Sequence, residues 1–425
     1  MNSLSFLFSQ LARLSHFLFR RQKIFLFLAA AVFIGIGIST VYRGGFSSHQ
    51  RTDFSVFVRA AEAVQAGENI YDVKTVRQWN YVYLPLLALL SVPFTYLPFA
   101  ASVLIWYVLS VAAMAAVFWM ASRLGENARD GFFAALTAFI LCFPAFLGTL
   151  SRGQMGVISV LITLAVFWLY LRKRDAAAGF LLAFGIVLKT SPLAALIFFF
   201  LFRRNWRALA ACALGGIFFV LILPSLFVGL ERNLFWLSEY FRITSHAVSD
   251  KGYEGILWQQ LVTPFAEDNQ SAYAVLTRLF WGSEAAYVGH SNEGIRWIMR
   301  AFAALVLAAG AAAALRNPRR GPVKRLLLEF SLYPMLMLWV SPVTQNHHYT
   351  ALYLPILAAA LYLADTLEAN GSKQRNLLQA GVLLAGILFF AGLVSDQLAW
   401  WGLPMWGSLL GMALIFKGTV YRGDR

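Results

Sequence analysis

The sequence predicts an all-α polytopic membrane protein, a single integral domain over residues 1–425. Three observations carry that reading. Hydrophobic residues make up 60% of the chain and charged ones 13%, against ~45–50% and ~25% in an ordinary globular protein. Mean hydropathy is +0.65. Apolar runs of membrane-spanning length recur along the chain, and no polar stretch is long enough to form a separate soluble domain.

The net charge of +15 does not point to nucleic acid, because no basic domain gathers it. The basic residues fall in short clusters between apolar runs, as in cytoplasmic loops. Cys142 and Cys212 sit inside apolar runs and read as small buried hydrophobes, not as a disulfide or a metal site.

The first apolar run, Ile24–Val41, follows Arg20, Arg21 and Lys23 in the manner of a signal peptide. It is long enough to span and no small-residue cleavage pattern follows, so it is read as the first helix. Candidate spans are 24–42, 99–121, 131–148, 156–171, 177–189, 191–203, 208–225, 297–315, 326–343, 350–365, 377–394 and 403–417. With the N-terminus in the cytoplasm, alternation puts the clusters Arg172–Arg174, Arg203–Arg207, Arg316–Arg325 and Lys373–Arg375 inside. The tail with Lys417 and Arg422 falls inside as well. Tyr81–Pro98 is apolar but carries Pro85, Pro93 and Pro98, and counting it as a span inverts every later loop. It is read as a re-entrant or interfacial helix.

This topology gives two long extracytoplasmic loops, 43–80 and 225–296, the second rich in Trp, Tyr and charged residues. Arg152-Gly153-Gln154, Gln345-Asn346-His347-His348 and Lys189 emerge on the same face. Ionisable groups at the membrane edge are costly and mark a functional site by default.

In the first loop Phe54, Phe57, Val58, Ala61 and Val64 share one helical face, and Gly67 is a natural stop. The segment reads as an amphipathic helix lying at the membrane surface. Asp53, just before it, is either an N-cap or a membrane-edge general base. Lys189 interrupts the apolar run Phe180–Leu188 and precedes Thr190-Ser191-Pro192. It either snorkels to the surface or binds an anionic headgroup. Gln154 falls at a helix start, where free backbone donors can meet an anion. His347 and His348 have no Cys or carboxylate nearby in sequence, so they read as hydrogen-bonding or phosphate-facing, not as zinc ligands. Asp268-Asn269-Gln270-Ser271 matches a helix cap, with Arg278 two turns inside on the face of Ser271.

Taken in order, these pieces resemble the membrane glycosyltransferases of family 87, which have the GT-C fold. The likeness runs over about residues 50–350: Asp53 with its Ala-rich helix, Gly67 and Tyr71; Tyr83-Leu84-Pro85; Gly153-Gln154; Ala178-Gly179; Lys189-Thr190-Ser191-Pro192; Arg203-Arg204-Asn205-Trp206-Arg207; Asn269-Gln270-Ser271 with Arg278; and Ser341-Pro342 with His347-His348. The chain departs from the family pattern at Met155-Gly156, where a polar residue such as Asn is expected.

The resemblance implies an inverting transfer of a hexose, mannose by family weight, from a polyprenyl-phosphate donor to an extracytoplasmic glycolipid or glycan. The setting it implies is the bacterial plasma membrane, with membrane lipids around the chain. It makes Asp53 the general base. Lys189, Arg278, His347 and His348 become donor phosphate ligands, and Tyr71, Gln154 and Asn269 substrate contacts. It implies no cofactor and no metal. A transporter or lipid flippase is the alternative class, against which stand the long outer loops and the lack of an obvious internal repeat.

Overall fold

A computed structural model describes residues 21–248, 263–266, 268–287, 292–316, 321–368 and 373–420. The N-terminal 20 residues, His290, residues 317–320 and Arg422, on which some of the topology reading falls, lie outside the described residues. The protein is an all-α polytopic membrane protein. Among the described residues the one departure from helix and loop is an isolated bridge between Lys74 and Asn80.

Most candidate spans coincide with helices, but 191–203 does not: it is broken at Ser191 and continues as the seven-residue helix Leu196–Phe202. Helix α1 is Gln22–Val41, carried on by a π-helical turn over Tyr42–Phe46; α2 is Phe54–Ala66, α3 Pro85–Thr95, α4 Phe99–Ser122 and α5 Ala128–Arg152. Helix α4 shows why the apolar runs are lipid-facing. It buries Val103, Trp106, Tyr107 and Met114, yet Leu104, Ile105, Val108 and Leu109 point outward. A helix apolar all round suits a bilayer, not water.

Among the described residues five helical stretches are long and apolar enough to cross unaided: Phe27–Phe46, Phe99–Ser122, Ala128–Arg152, Trp206–Val228 and Glu293–Arg316. Pro85–Thr95, Gly156–Leu171 and Asp175–Leu188 are shorter. Helix α3 has 11 residues, about 16 Å at 1.5 Å per residue, against a hydrocarbon core of ~30 Å. It begins on Pro85 and contains Pro93, and its length fits the non-spanning reading.

Two expectations for the loop 43–80 need correction. Helix α2 does not lay its apolar face on lipid: Phe54, Val56, Phe57, Val58, Ala60, Ala61 and Ala63 are all buried in protein. Phe54 stacks on Trp106 of α4 at 4.9 Å between centroids and meets Phe94 of α3 edge-on at 5.1 Å. Asp53 occupies the N-cap position, but its side chain makes no cap bond. Thr52 does that work, its Oγ1 accepting from Phe54 N–H. Gly67 ends α2 with φ 73°, as the sequence predicts.

Beyond α5, Gly153 turns the chain into α6 (Gly156–Leu171). Helix α7 (Asp175–Leu188) stops at Lys189, whose backbone is extended. The chain resumes as a short turn Thr190–Leu193 and then α8 (Leu196–Phe202), with Ser191 non-helical and the Ser191–Pro192 bond cis. Helix α9 (Trp206–Ile217) crosses α7 so closely at Gly179 that a Cβ there would lie 1.9 Å from the Ala208 carbonyl oxygen. Only glycine allows that approach. At the other end of α8, Arg203 is not a loop residue like the rest of its cluster: it is buried and forks onto buried Glu329 of helix α10 (Val323–Val340).

Candidate active site

Between α2, the loop 72–83 and the end of α5 lies a cavity of about 790 Å³. Its construction starts with backbone geometry. Helix α5 ends on Gly153 at φ 66°, a left-handed residue that glycine tolerates. A Cβ at Gly153 would lie 2.7 Å from Thr52 Oγ1 and 2.9 Å from Phe54 Cβ. The two chain segments therefore touch, and Asp53 N–H donates to the Arg152 carbonyl at 2.6 Å. Trp106 Nε1–H donates to the Gly153 carbonyl at 2.9 Å, pinning the turn from the third side.

The consequence is a juxtaposition of two side chains 101 residues apart: Gln154 Nε2–H donates to Asp53 Oδ2 at 2.7 Å. Asp53 Oδ1 is buried and has no hydrogen-bond partner. Burial raises the Asp53 carboxyl above the usual carboxylate range. The Gln154 hydrogen bond and the charges of Arg152, Arg77 and Lys189 oppose that rise. Gln154 Oε1 faces Tyr83 O–H and the Lys189 ammonium, each at 3.5 Å. Burial, and after it the Asp53 charge, pushes the Tyr83 phenol up, so it stays protonated and able to donate.

Of the residues singled out in the sequence, Asp53 and Gln154 line the cavity. Lys189, 7% exposed, stands behind Gln154. Tyr71 is one layer further back, its O–H donating to the Tyr83 carbonyl at 2.9 Å. The backbone reading of Gln154 is corrected: its N–H is already taken by the Thr149 carbonyl, and the next helix starts two residues later.

His347 and His348 open a 3₁₀ turn, Asn346–Leu352, and pack ring to ring at 4.3 Å. Burial, then neighbouring positive charge, lowers both well below the ordinary histidine range. They are neutral hydrogen-bonding groups, and Lys189 and Arg152 are close enough to contribute to that shift. His348 Nδ1 accepts from the Gln345 N–H at 3.1 Å, which leaves Nε2 to carry the ring proton.

Arg278 and Asn269 are not brought to the cavity. Arg278 lies in a helix, Ala272–Trp281, that Ser271 caps as expected. Its guanidinium donates to the carbonyls of Pro264, Ala266, Asn269 and Trp400. Asn269 ties the same loop to Pro342 and Thr344. Both build the scaffold that holds Asp268 and Gln345 at the cavity wall.

Sequence reasoning missed the charge of the wall. Arg43, Arg51, Arg77 and Arg152 line it with His49, and Asp53 and Asp268 are its acids. Arg152 reaches Asp268 at 3.8 Å, and Arg77 lies over the Trp79 ring at 4.1 Å. Arg43, Arg51 and Arg77 are spread along the first loop with no motif to announce them, and Arg152 stood in the Arg152-Gly153-Gln154 stretch without its charge being read. The one available signal is the run Arg77-Gln78-Trp79-Asn80, more polar than its surroundings. Among the described residues no three His, Cys, Asp or Glu side chains converge as a metal site.

Residues 81–342 match the model of glycosyltransferase family 87. The stretch includes Gln154, Lys189 and Arg278, and begins downstream of Asp53. A polyprenol-phosphate-mannose-dependent alpha-(1-2)-phosphatidylinositol mannoside mannosyltransferase of Mycobacterium tuberculosis is 28% identical over 358 residues, covering 79% of this chain and 74% of that protein. A polyprenol-phosphate-mannose-dependent alpha-(1-2)-phosphatidylinositol pentamannoside mannosyltransferase from another strain is 27% identical over 317 residues, covering 70% of this chain and 63% of that protein.

Proposed function

The chain belongs to glycosyltransferase family 87 and is a membrane glycosyltransferase, and from that premise we propose that it transfers a mannosyl residue, with inversion, from polyprenyl-phosphate-mannose to a glycolipid or glycan on the extracytoplasmic face. The observation that carries the proposal is Asp53: a buried carboxylate with one oxygen held and one free, in the wall of an arginine-lined cavity. The donor and a mannosyl-lipid acceptor also match those of the two mycobacterial mannosyltransferases that the chain resembles.

In the reaction, an acceptor hydroxyl gives its proton to Asp53 Oδ1 as its oxygen attacks the anomeric carbon. The bond from that carbon to the phosphate oxygen breaks on the opposite side, and polyprenyl phosphate leaves with the electron pair. One base and one displacement give inversion. The leaving phosphate already carries charge at neutral pH, so it needs cations and donors more than a general acid. Lys189, Arg152 and Arg77 are cations whose charge acts on Asp53, and they take that role. His347 and His348 supply hydrogen bonds, and Arg278 is assigned to the scaffold.

The test is incubation of the purified protein with radiolabelled polyprenyl-phosphate-mannose and a lipid extract. Label should move into an acceptor lipid in detergent, where no compartment exists. Consumption of no donor under any acceptor condition overturns the proposal.

A further inference from the structure

Gln154 is the sole side chain that hydrogen-bonds the Asp53 carboxylate among the described residues. Its amide has one orientation that satisfies its surroundings. Nε2 must face Asp53 Oδ2, because a carboxylate accepts, and Oε1 must face Lys189 Nζ and Tyr83 O–H, because both donate. The reversed amide would set oxygen against oxygen and N–H against an ammonium.

We infer that Gln154 is a positioning residue and not a substrate ligand: it selects Oδ1 of Asp53 as the proton-accepting oxygen and links the base to the Lys189 ammonium. This rests on Asp53 being the base. With Oδ2 held by a donor, the lone pairs left without a partner belong to Oδ1, buried at the edge of the cavity that Asp53 lines. An amide N–H is not a proton carrier at these pH values, so the captured proton does not leave through Gln154. The same bond favours the ionised carboxylate against its burial. The charged groups facing Asp53 are Arg152 at the end of α5, Arg77 in the loop 72–83 and Lys189 after α7. Arg43, His49, Arg51 and Asp268 share its cavity, and Tyr83 is the neighbouring phenol.

The experiment is the pH dependence of kcat, with polyprenyl-phosphate-mannose as donor and lipid extract as acceptor, for wild type, Gln154→Met, Gln154→Glu and Asp53→Asn. Gln154→Met keeps the length and removes the bond. Its acid limb should move up by about one pH unit, a tenfold loss on that limb, with donor and acceptor KM nearly unchanged. Gln154→Glu keeps the shape but sets two carboxylates together, so its limb should move further up than that of Gln154→Met.

Raised KM with an unmoved limb makes Gln154 a substrate ligand and overturns the inference. If neither variant can be purified folded, the residue is structural and the inference fails. If Asp53→Asn keeps its activity, the base assignment itself falls. If Asp53→Asn is dead and the limb stays put, only the role of Gln154 falls.

Discussion

The backbone N–H of Asp53 donates to the carbonyl of Arg152 at 2.6 Å, joining the start of α2 to the end of α5. Ninety-nine residues of chain are closed by that contact, and the position of the carboxylate relative to Gln154 depends on it. The turn that makes the contact possible is Gly153.

Gly153→Ala should therefore be a loss-of-function change away from the chemistry. The residue sits at φ 66° and its new Cβ would press on Thr52 Oγ1 and Phe54 Cβ. Left-handed strain alone costs about 1 kcal/mol or more. The expected outcome is a lower melting temperature and a fall in kcat beyond what the remaining folded fraction explains. A variant with wild-type kcat shows that the two segments need not be held so tightly.

Lys189 and Arg278 separate by the kind of damage they cause. Lys189→Met should keep the fold and lose donor binding, raising donor KM by roughly 10–100-fold, the worth of about one charge-assisted hydrogen bond. Arg278→Met strips carbonyls of a buried cationic donor, and each such bond is worth roughly 1.5–3 kcal/mol. It should lower the melting temperature sharply with no selective effect on donor KM. Thermal melts and donor titrations on both variants decide the matter. A stable Arg278→Met protein with weakened donor use returns Arg278 to the phosphate site.

The pH dependence follows from burial of Asp53. A base must be ionised, so activity should rise with pH through a limb above the ordinary carboxylate range, because burial raises this carboxyl. The same shift has a sign for stability. A carboxyl whose folded-state value is raised contributes stability below its unfolded value, and that contribution is lost as pH rises through the folded value. Near neutrality the ionised Asp53 is thus a burden on the fold. Removing its charge should leave the melting temperature at neutral pH unchanged or higher, with no such gain at acidic pH. An acid limb at the value of a free carboxylate contradicts the assignment.

Much of this was legible in the sequence. Lipid-facing helices must be apolar all round, so composition alone located α1, α4 and α5 to within a few residues. Gly67 and Ser271 marked a helix end and a helix start for reasons of local backbone chemistry. What sequence did not reveal is who covers a face. The apolar stripe of α2 reads the same whether lipid or Trp106 lies against it. Asp53 looked like a cap because Asp at that position usually is one, while Thr52 took the cap bond. Arg278 was given to the donor phosphate by the family resemblance alone, and which partners a buried arginine finds is set by distant loops, here the carbonyls of Pro264 and Trp400. The wall of Arg43, Arg51, Arg77 and Arg152 exists only once the chain is folded.

The central claim is that Asp53 removes the acceptor's proton, and Asp53→Asn tests it most directly. The amide fits the same space, and since the aspartate side chain makes no cap bond, the helix start loses nothing. It cannot take a proton at neutral pH. Purified Asp53→Asn should melt at or above the wild-type temperature while sugar transfer from polyprenyl-phosphate-mannose falls by ~10²–10⁴-fold. A folded Asp53→Asn protein that retains most of its transfer activity contradicts the account, and Asp268, the other acid of the cavity, is then the next carboxylate to examine as the base.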